Sequence, residues 1–502
     1  MNMVFIKKHY KDLTFALFTI ILYFFTRLYR ISSLPIFTDE AIYTRWSQIA
    51  KQDASWRFIS LTDGKQPLFV WLDMIVMRFI HDPLLAGRLV SVGAGFFTVL
   101  GLFFLGNEIF KNKKIGFLAA FTYVIFPFAL VYDKMALYDS LVATITVWAL
   151  YFEVLLIRRI KFEIAFMLAL VIGAGLLTKS SGSFSIYLLP FSLLLFDFKQ
   201  KNKRQKLFRW LGFVLVAVLL SLLYESVLRL SPFFHVISEK NSLFVYPFNE
   251  WIHHPFNYLE GNLRGLLDWL ITYSTIPIII LVLASFILDK KKFLGEKLFL
   301  FLWFLAPFSA LALFGRTLYP RFILFMTMPL LVLVAYSIYY ILGITKNNVF
   351  KLLFIFISVI LMIRTDYYIL TNFAIAPIPY ADLQQYINDW PAGGGIKEMV
   401  EFFRFQSSTK KIYVASQGTF GSLPTYAVEI YLGEDKNVEK RGIWPIPDKI
   451  PSDLVEKAKH MSVYFVFNQT KTPPFGWPVR LIASYKKGVG DAELNIYQVV
   501  SK

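Results

Sequence analysis

The chain contains no cysteine. Disulfide staples, thiolate metal sites and cysteine nucleophiles are therefore excluded, and the compartment cannot be read from redox chemistry. A continuous basic face is missing too. The formal charge is +18, but the basic residues are loop clusters between apolar runs, with no aromatic-interleaved stripe, which argues against nucleic acid as a partner. No internal repeat is visible. The basic start (Lys7, Lys8, Lys11) and the apolar run Leu13 to Tyr29 are not followed by a small-residue cleavage site, so this segment reads as a retained signal anchor.

Apolar residues are abundant. Of 502 residues, 56% are hydrophobic and 18% aromatic, more than a soluble chain needs to fill its core. They come in blocks of about 16 to 25 separated by short charged loops, which is the spacing of membrane-spanning helices. Length and flanking charge predict spans near 13–31, 83–110, 115–132, 139–157, 163–178, 183–197, 207–230, 265–288, 296–314, 321–343 and 349–371. That is an α-helical polytopic bundle of about eleven spans. The pair 163–178 and 183–197 is short for a span, as a partly re-entrant hairpin would be.

Basic clusters Lys111 to Lys114, Arg158 to Lys161, Lys199 to Arg209 and Lys290 to Lys292 fall on alternate turns, on the side of Lys7 and Lys8. The positive-inside rule makes that side cytoplasmic. The opposite loops, 32–82, 133–138, 179–182, 231–264 and 315–320, then face outward and hold most of the acids, histidines and isolated cations.

Composition changes after residue 371. A linker with Pro377, Pro379, Pro391 and Gly393 to Gly395 leads into a soluble α/β tail, 372–502, with 15 basic and 13 acidic residues. Its predicted helices are 395–408 and 422–433, and its predicted strands 411–415, 461–467, 479–485 and 493–499. The three glycines precede a helix and could cradle an anion, but glycine-rich linkers are too common for that signal to count. The division reads as a membrane domain, 1–371, and an extracytoplasmic domain, 372–502.

The outer loops carry the candidate chemistry. T-D-E-A places Asp39 and Glu40 at a helix N-terminus, where an acid pair caps the helix or serves as a general base. Lys65 precedes Pro67 and an apolar, tryptophan-bearing helix. Asp139 opens a span from the outer side, Lys179 occupies the short turn between the two weak spans, and Arg321 stands at the outer entry of a later span. Six such residues from four separate segments on one face suit a reaction on a lipid phosphate.

The order of T-D-E-A (Thr38 to Ala41), K-Q-P-L (Lys65 to Leu68), Y-D-S-L (Tyr138 to Leu141), L-T-K (Leu177 to Lys179) and R-F-I-L (Arg321 to Leu324) resembles membrane glycosyltransferases of the GT-C type, nearest to the protein O-mannosyltransferase and aminoarabinose transferase group. The resemblance implies transfer of a sugar from a polyprenyl-phosphate donor to a glycan, lipid or protein acceptor on the outer side of the cell membrane, with inversion. It gives Asp39 the role of catalytic aspartate with Glu40 beside it, makes Lys65 and Arg321 contacts of the donor phosphate, with Lys179 as a further candidate, and leaves Asp139 in support. The aminoarabinose transferases carry a metal-binding acid just before the motif lysine, where this chain has Gly64. No cofactor is required on this reading. A divalent metal would have to draw on His253 or His254, and adjacent histidines do not readily bind one ion together. The competing class is a lipid-linked-sugar flippase or other transporter, which would cluster ionisable residues at the bilayer midplane within a repeated architecture; these spans are nearly free of charge at their centres.

Overall fold

The computed structural model describes residues 3–289 and 292–500, with side chains from residue 10 onward. Lys290 and Lys291 of the last inner basic cluster lie outside the described residues.

Helices α1 (Met3–Leu28), α2 (Thr38–Gln52), α3 (Leu68–Val76), α4 (Pro83–Phe110), α5 (Lys113–Val124), α6 (Pro127–Asp133), α7 (Asp139–Arg159) and α8 (Phe162–Leu176) form the first half. The second half holds α9 (Phe184–Tyr187), α10 (Lys203–Glu225), α11 (Val236–Ser242), α12 (Phe248–Trp251), α13 (Leu259–Ser274), α14 (Ile276–Ile287), α15 (Leu294–Phe314), α16 (Leu324–Ile344) and α17 (Asn348–Thr371). Local chemistry sets the boundaries. Asp82 caps α4 by accepting from Leu85 N at 2.9 Å, with Pro83 in the first turn where its missing N–H costs nothing.

Eleven spans were expected. Among the described residues six helices are long and apolar enough to cross a membrane, or up to eight if each of two bent pairs is one span. The differences have local causes. The stretch read as 115–132 breaks ahead of Pro127, where α5 and α6 meet at 62°, and that read as 265–288 breaks at Thr275, just before Pro277, where α13 and α14 meet at 98°. The stretch 183–197 is α9 flanked by 3-10 turns, Ser180–Ser183 and Leu189–Leu195, the latter containing Pro190. α1 is 26 residues long, but Lys11, Asp12 and Arg27 interrupt its apolar run.

Burial sorts the spans into layers. α7 and α16 are the centre, with 83% and 89% of their apolar stretches buried, whereas α10 and α17 bury only 17% and present apolar side chains outward, as lipid-facing helices do.

The tail contains α18 (Tyr380–Leu383), α19 (Ile396–Ser407), α20 (Leu423–Leu432) and α21 (Ser452–Lys457) around strands β1 (Ile412–Gln417), β2 (Val438–Ile443), β3 (Ser462–Phe467), β4 (Val479–Lys486) and β5 (Glu493–Val499). The order is β2-β1-β3-β5-β4, with β1 parallel to both neighbours and β5 antiparallel to β3 and β4. β1 is buried along its whole length, as a strand covered on both faces must be. The sequence reading missed β2, whose V-E-K-R-G-I lies at a sheet edge with charged residues, and the short α21.

The tail and the first outer loop share a core. Ile36 and Ala41 pack with Ile396, Val414, Leu423 and Tyr426 of the tail. Phe37 forms an isolated antiparallel bridge with Ala392, and the Thr38 N–H and hydroxyl both donate to Pro391 O, at 3.1 and 2.9 Å. Gly393 is part of this junction. A β-carbon there would meet Ile36 O at 2.1 Å, so the glycine permits close approach of two backbones.

Candidate active site

Two hydrogen bonds bring the K-Q-P-L and L-T-K-S segments together. Leu68 N donates to Leu177 O at 2.9 Å, and Gln66 Nε2 donates to Ser180 Oγ at 3.0 Å. Lys65 therefore stands beside Lys179. Gly64, which precedes Lys65, has φ +66°, and a β-carbon on it would meet Val236 O and Lys240 Cβ at 2.6 Å. A side chain does not fit there, so the chain cannot offer an acid at that place.

Three carboxylates hold three of the cations. Arg321 Nη2 lies 2.8 Å from Asp39 Oδ2, Lys179 Nζ 2.7 Å from Asp139 Oδ1, and Lys240 Nζ 2.6 Å from Asp63 Oδ1. Lys65 makes no ion pair among the described residues; its ammonium sits 5.1 Å from the centre of the Phe244 ring. Arg321 is 9% exposed, wedged among Phe37, Tyr319 and Phe322, and its Nε has no hydrogen-bond partner among the described residues.

The four cations and Asp139 line a cavity of about 360 Å³, which Asp39 adjoins through Arg321. Lys65, Lys179, Lys240 and Arg321 line its polar part, and Phe184, Leu311, Phe314, Phe325 and Met326 its apolar wall. One cation in excess over the paired carboxylates, next to an apolar wall, fits an amphiphile with an anionic head.

Electrostatics set the charge states. Burial alone would raise the Asp39 carboxyl, but Arg321, Lys65 and Lys240 outweigh it and hold it below the usual carboxylate range. Asp39 is therefore ionised at neutral pH. Burial pushes the Lys65 ammonium down to about 8; Asp39 opposes that shift, while Lys179, Arg321 and Lys240 add to it.

Sequence reasoning gave Asp39 and Glu40 one role, and the geometry separates them. The Asp39 side chain is 24% exposed beside Arg321. Glu40 is fully buried, bonded at 2.9 and 2.8 Å to Arg88 and accepting from Phe37 N at 3.0 Å and Ala136 N at 2.7 Å. Arg88 also donates to Ile31 O and Leu34 O. The pair fixes the loop ahead of Asp39, and the Glu40 carboxylate, expected as a catalytic group, is taken up by these bonds.

His253 and His254 are not brought to this cavity, and His254 packs edge-on against Tyr246 and Tyr258. Among the described residues, no three His, Asp or Glu side chains converge as a metal-binding group. Lys240 and Asp63 were missed because nothing distinguishes them from other loop charges until α11 packs on the turn at Gly64. Asp133 was missed as well. It accepts from Tyr123, Ser140 and the buried Arg27, and so anchors the loop that leads to Asp139.

Comparison with known proteins bears on this architecture. Residues 64–224 match the family model of dolichyl-phosphate-mannose-protein mannosyltransferase, and no curated protein matches the chain. Among solved structures, ArnT from Cupriavidus metallidurans bound to undecaprenyl phosphate aligns over 98% of both chains with a TM-score of 0.58 at 13% identity. The Archaeoglobus fulgidus oligosaccharyltransferase in its apo form aligns over 91% of this chain and 69% of its own, with a TM-score of 0.53 at 14% identity. AglB from the same organism, in complex with an inhibitory peptide and a dolichol-phosphate, gives 0.52 at 13% identity, over 92% of this chain and 69% of its own. The fold is that of the GT-C membrane glycosyltransferases, as the motif order implied. The chain is a multi-span membrane protein whose fold and matched family model are both those of glycosyltransferases.

Proposed function

We propose that this protein is an inverting glycosyltransferase that moves a sugar from a polyprenyl-phosphate donor to an acceptor hydroxyl on the outer face of the membrane. The observation that carries the reading is an ionised carboxylate, Asp39, paired with Arg321 on the wall of a cavity whose Lys65 has no ion-pair partner among the described residues. The bound undecaprenyl phosphate and dolichol-phosphate in two structures of the same fold support a donor of that class.

The reaction follows from these charges. Asp39 aligns the acceptor O–H and takes its proton as oxygen bonds to the anomeric carbon, from the side opposite the phosphate. The carbon–oxygen bond to the phosphate breaks, and the phosphate leaves with the electron pair. Lys65 and Arg321 stabilise the charge that grows on its oxygens, with Lys179 close by. The prenyl chain lies against the apolar wall, since transfer to water costs about 0.8 kcal/mol per CH₂.

On this reading residues 1–371 are the transferase domain and 372–502 an extracytoplasmic domain, with the N-terminus cytoplasmic and the protein in the cell membrane. The alternating basic loops support that orientation, and the core shared by the tail and the Asp39 loop supports their lying on one side. Transfer from a labelled polyprenyl-phosphate sugar by the purified protein tests the function. The product is expected with inverted anomeric configuration by NMR; retention, or no transfer from any such donor, contradicts it.

A further inference from the structure

A second cleft opens in the tail, where the loops leaving the C-terminal ends of the three parallel strands meet. Residues 417–424 follow β1, Trp444 follows β2, and Asn468 and Gln469 follow β3; with Trp390 they enclose about 210 Å³. The chain leaves β1 for β2 on one side of the sheet and returns to β3 on the other, so this is the point where strand order reverses. Ligands of open α/β sheets bind there.

The lining has an unusual composition for this molecule. Among the described residues no ionisable side chain lines it, although the chain carries 52 basic and 34 acidic residues. Three large rings do. Trp390, Phe420 and Trp444 are 41%, 56% and 57% exposed, in a domain with its own well-filled cores. Between them lie amide and hydroxyl groups of Gln469, Thr419 and Ser422. The floor is braced from beneath. Gln417 Oε1 accepts from the N–H groups of Asn468, Gln469 and Thr470 at 3.0, 2.8 and 3.0 Å, and the buried Lys487 ammonium bonds Trp390 O and Asn468 Oδ1 at 2.9 and 2.5 Å. Flat apolar rings with neutral hydrogen-bonding groups match the C–H faces and hydroxyl edges of a sugar. A phosphate, sulfate or carboxylate ligand would find no charged side chain on the lining, and the Lys487 ammonium beneath is already taken up by Trp390 O, Ala392 O and Asn468 Oδ1.

The cleft adjoins the proposed site. Trp390 precedes Pro391, whose carbonyl holds Thr38 next to Asp39, and the Phe420 ring lies 6.1 Å from Trp46 of α2. We propose that this cleft is a saccharide-binding subsite for an uncharged glycan, which it holds as the acceptor. Its acceptor role rests on the transfer reading; its binding of sugar does not.

The test is an array of oligosaccharides, neutral alongside sialylated, sulfated and uronate-bearing, probed with the full chain in detergent. Binding of at least one neutral oligosaccharide is expected. Phe420→Ala and Trp444→Ala should each weaken the strongest neutral binder about tenfold, with unchanged melting temperature and unchanged affinity for undecaprenyl phosphate. Exposed rings are chosen so that the variants fold. If no neutral oligosaccharide binds, if only charged ones do, or if both folded variants bind as tightly as the parent, the proposal is overturned. Ring-dependent sugar binding without transfer from any polyprenyl-phosphate donor would leave the subsite standing and remove the transferase reading instead.

Discussion

Arg321 Nη2 sits 2.8 Å from Asp39 Oδ2, joining the entry of a late span to the first outer loop across 282 positions of sequence. The contact sets the charge of the carboxylate and the place of the guanidinium together. Neither residue has that environment without the other.

Removing the guanidinium should therefore do two things. Arg321→Ala takes away a phosphate contact, with a loss of kcat/KM of about 10- to 150-fold expected from one charged hydrogen bond. It also takes away a group that lowers the Asp39 pKa, leaving the effect of burial less opposed. The acid limb of the pH–rate profile should move to higher pH, so that activity fails sooner on acidification. A limb that stays in place, measured on folded variant, would show that Asp39 does not control it.

Lys65 governs the other side of the profile. Its ammonium, pushed down to about 8 by burial, is charged at neutral pH and is lost as pH rises through that value. Donor affinity should fall above about pH 8 in the parent. In Lys65→Ala it should be weak throughout and flat across that range, with thermal stability little altered. Parent-like binding of a polyprenyl-phosphate sugar by the variant would remove Lys65 from the phosphate site.

Glu40 and Arg88 should behave as a structural pair. Both side chains have no exposed surface, and deleting one partner strands a buried charge at a cost of about 3–5 kcal/mol. Arg88→Met should lower the melting temperature in detergent sharply. Glu40→Gln leaves the buried Arg88 guanidinium without its counter-charge and should lower it as well, yet should retain more turnover per folded molecule than any change at Asp39. Undisturbed stability in Arg88→Met would contradict the positioning role.

Chelation is expected to leave turnover intact. Gly64 cannot carry a ligand without displacing Val236 and Lys240, and the four cations can supply the charge that a metal would. Loss of transfer in EDTA, restored by one added divalent ion, would show that Asp39 or another outer-loop side chain holds a metal.

Much of this arrangement was legible in the sequence because bilayer thickness enforces long apolar runs. α4 and α7 stand where length and flanking residues put them. Breaks were harder to see. Pro127 and Pro277 fall inside stretches read as single spans, and each adjoins a sharp bend. The two adjacent carboxylates of T-D-E-A could not be told apart, since neighbours on a helix point about 100° away from each other and the partner that claims Glu40, Arg88, lies in an otherwise apolar span. The sharing of a core between Ile36, Ala41 and the tail was hidden for a related reason: a contact across more than 350 positions leaves no periodicity.

The account stands or falls on Asp39→Asn. Asparagine keeps the size of the side chain, and Asp39 makes no capping bond to α2, whose first-turn bond to Phe37 N comes from Glu40, so a folded, membrane-inserted protein with a near-parent melting temperature is expected. It cannot accept a proton, and it replaces the anion facing Arg321 with a neutral amide. Transfer from a polyprenyl-phosphate sugar, measured beside thermal stability in detergent, should fall by about 10²- to 10⁴-fold. Transfer within a few-fold of the parent would make Asp39 an anchor for Arg321 alone, and the proposed chemistry would lose its base.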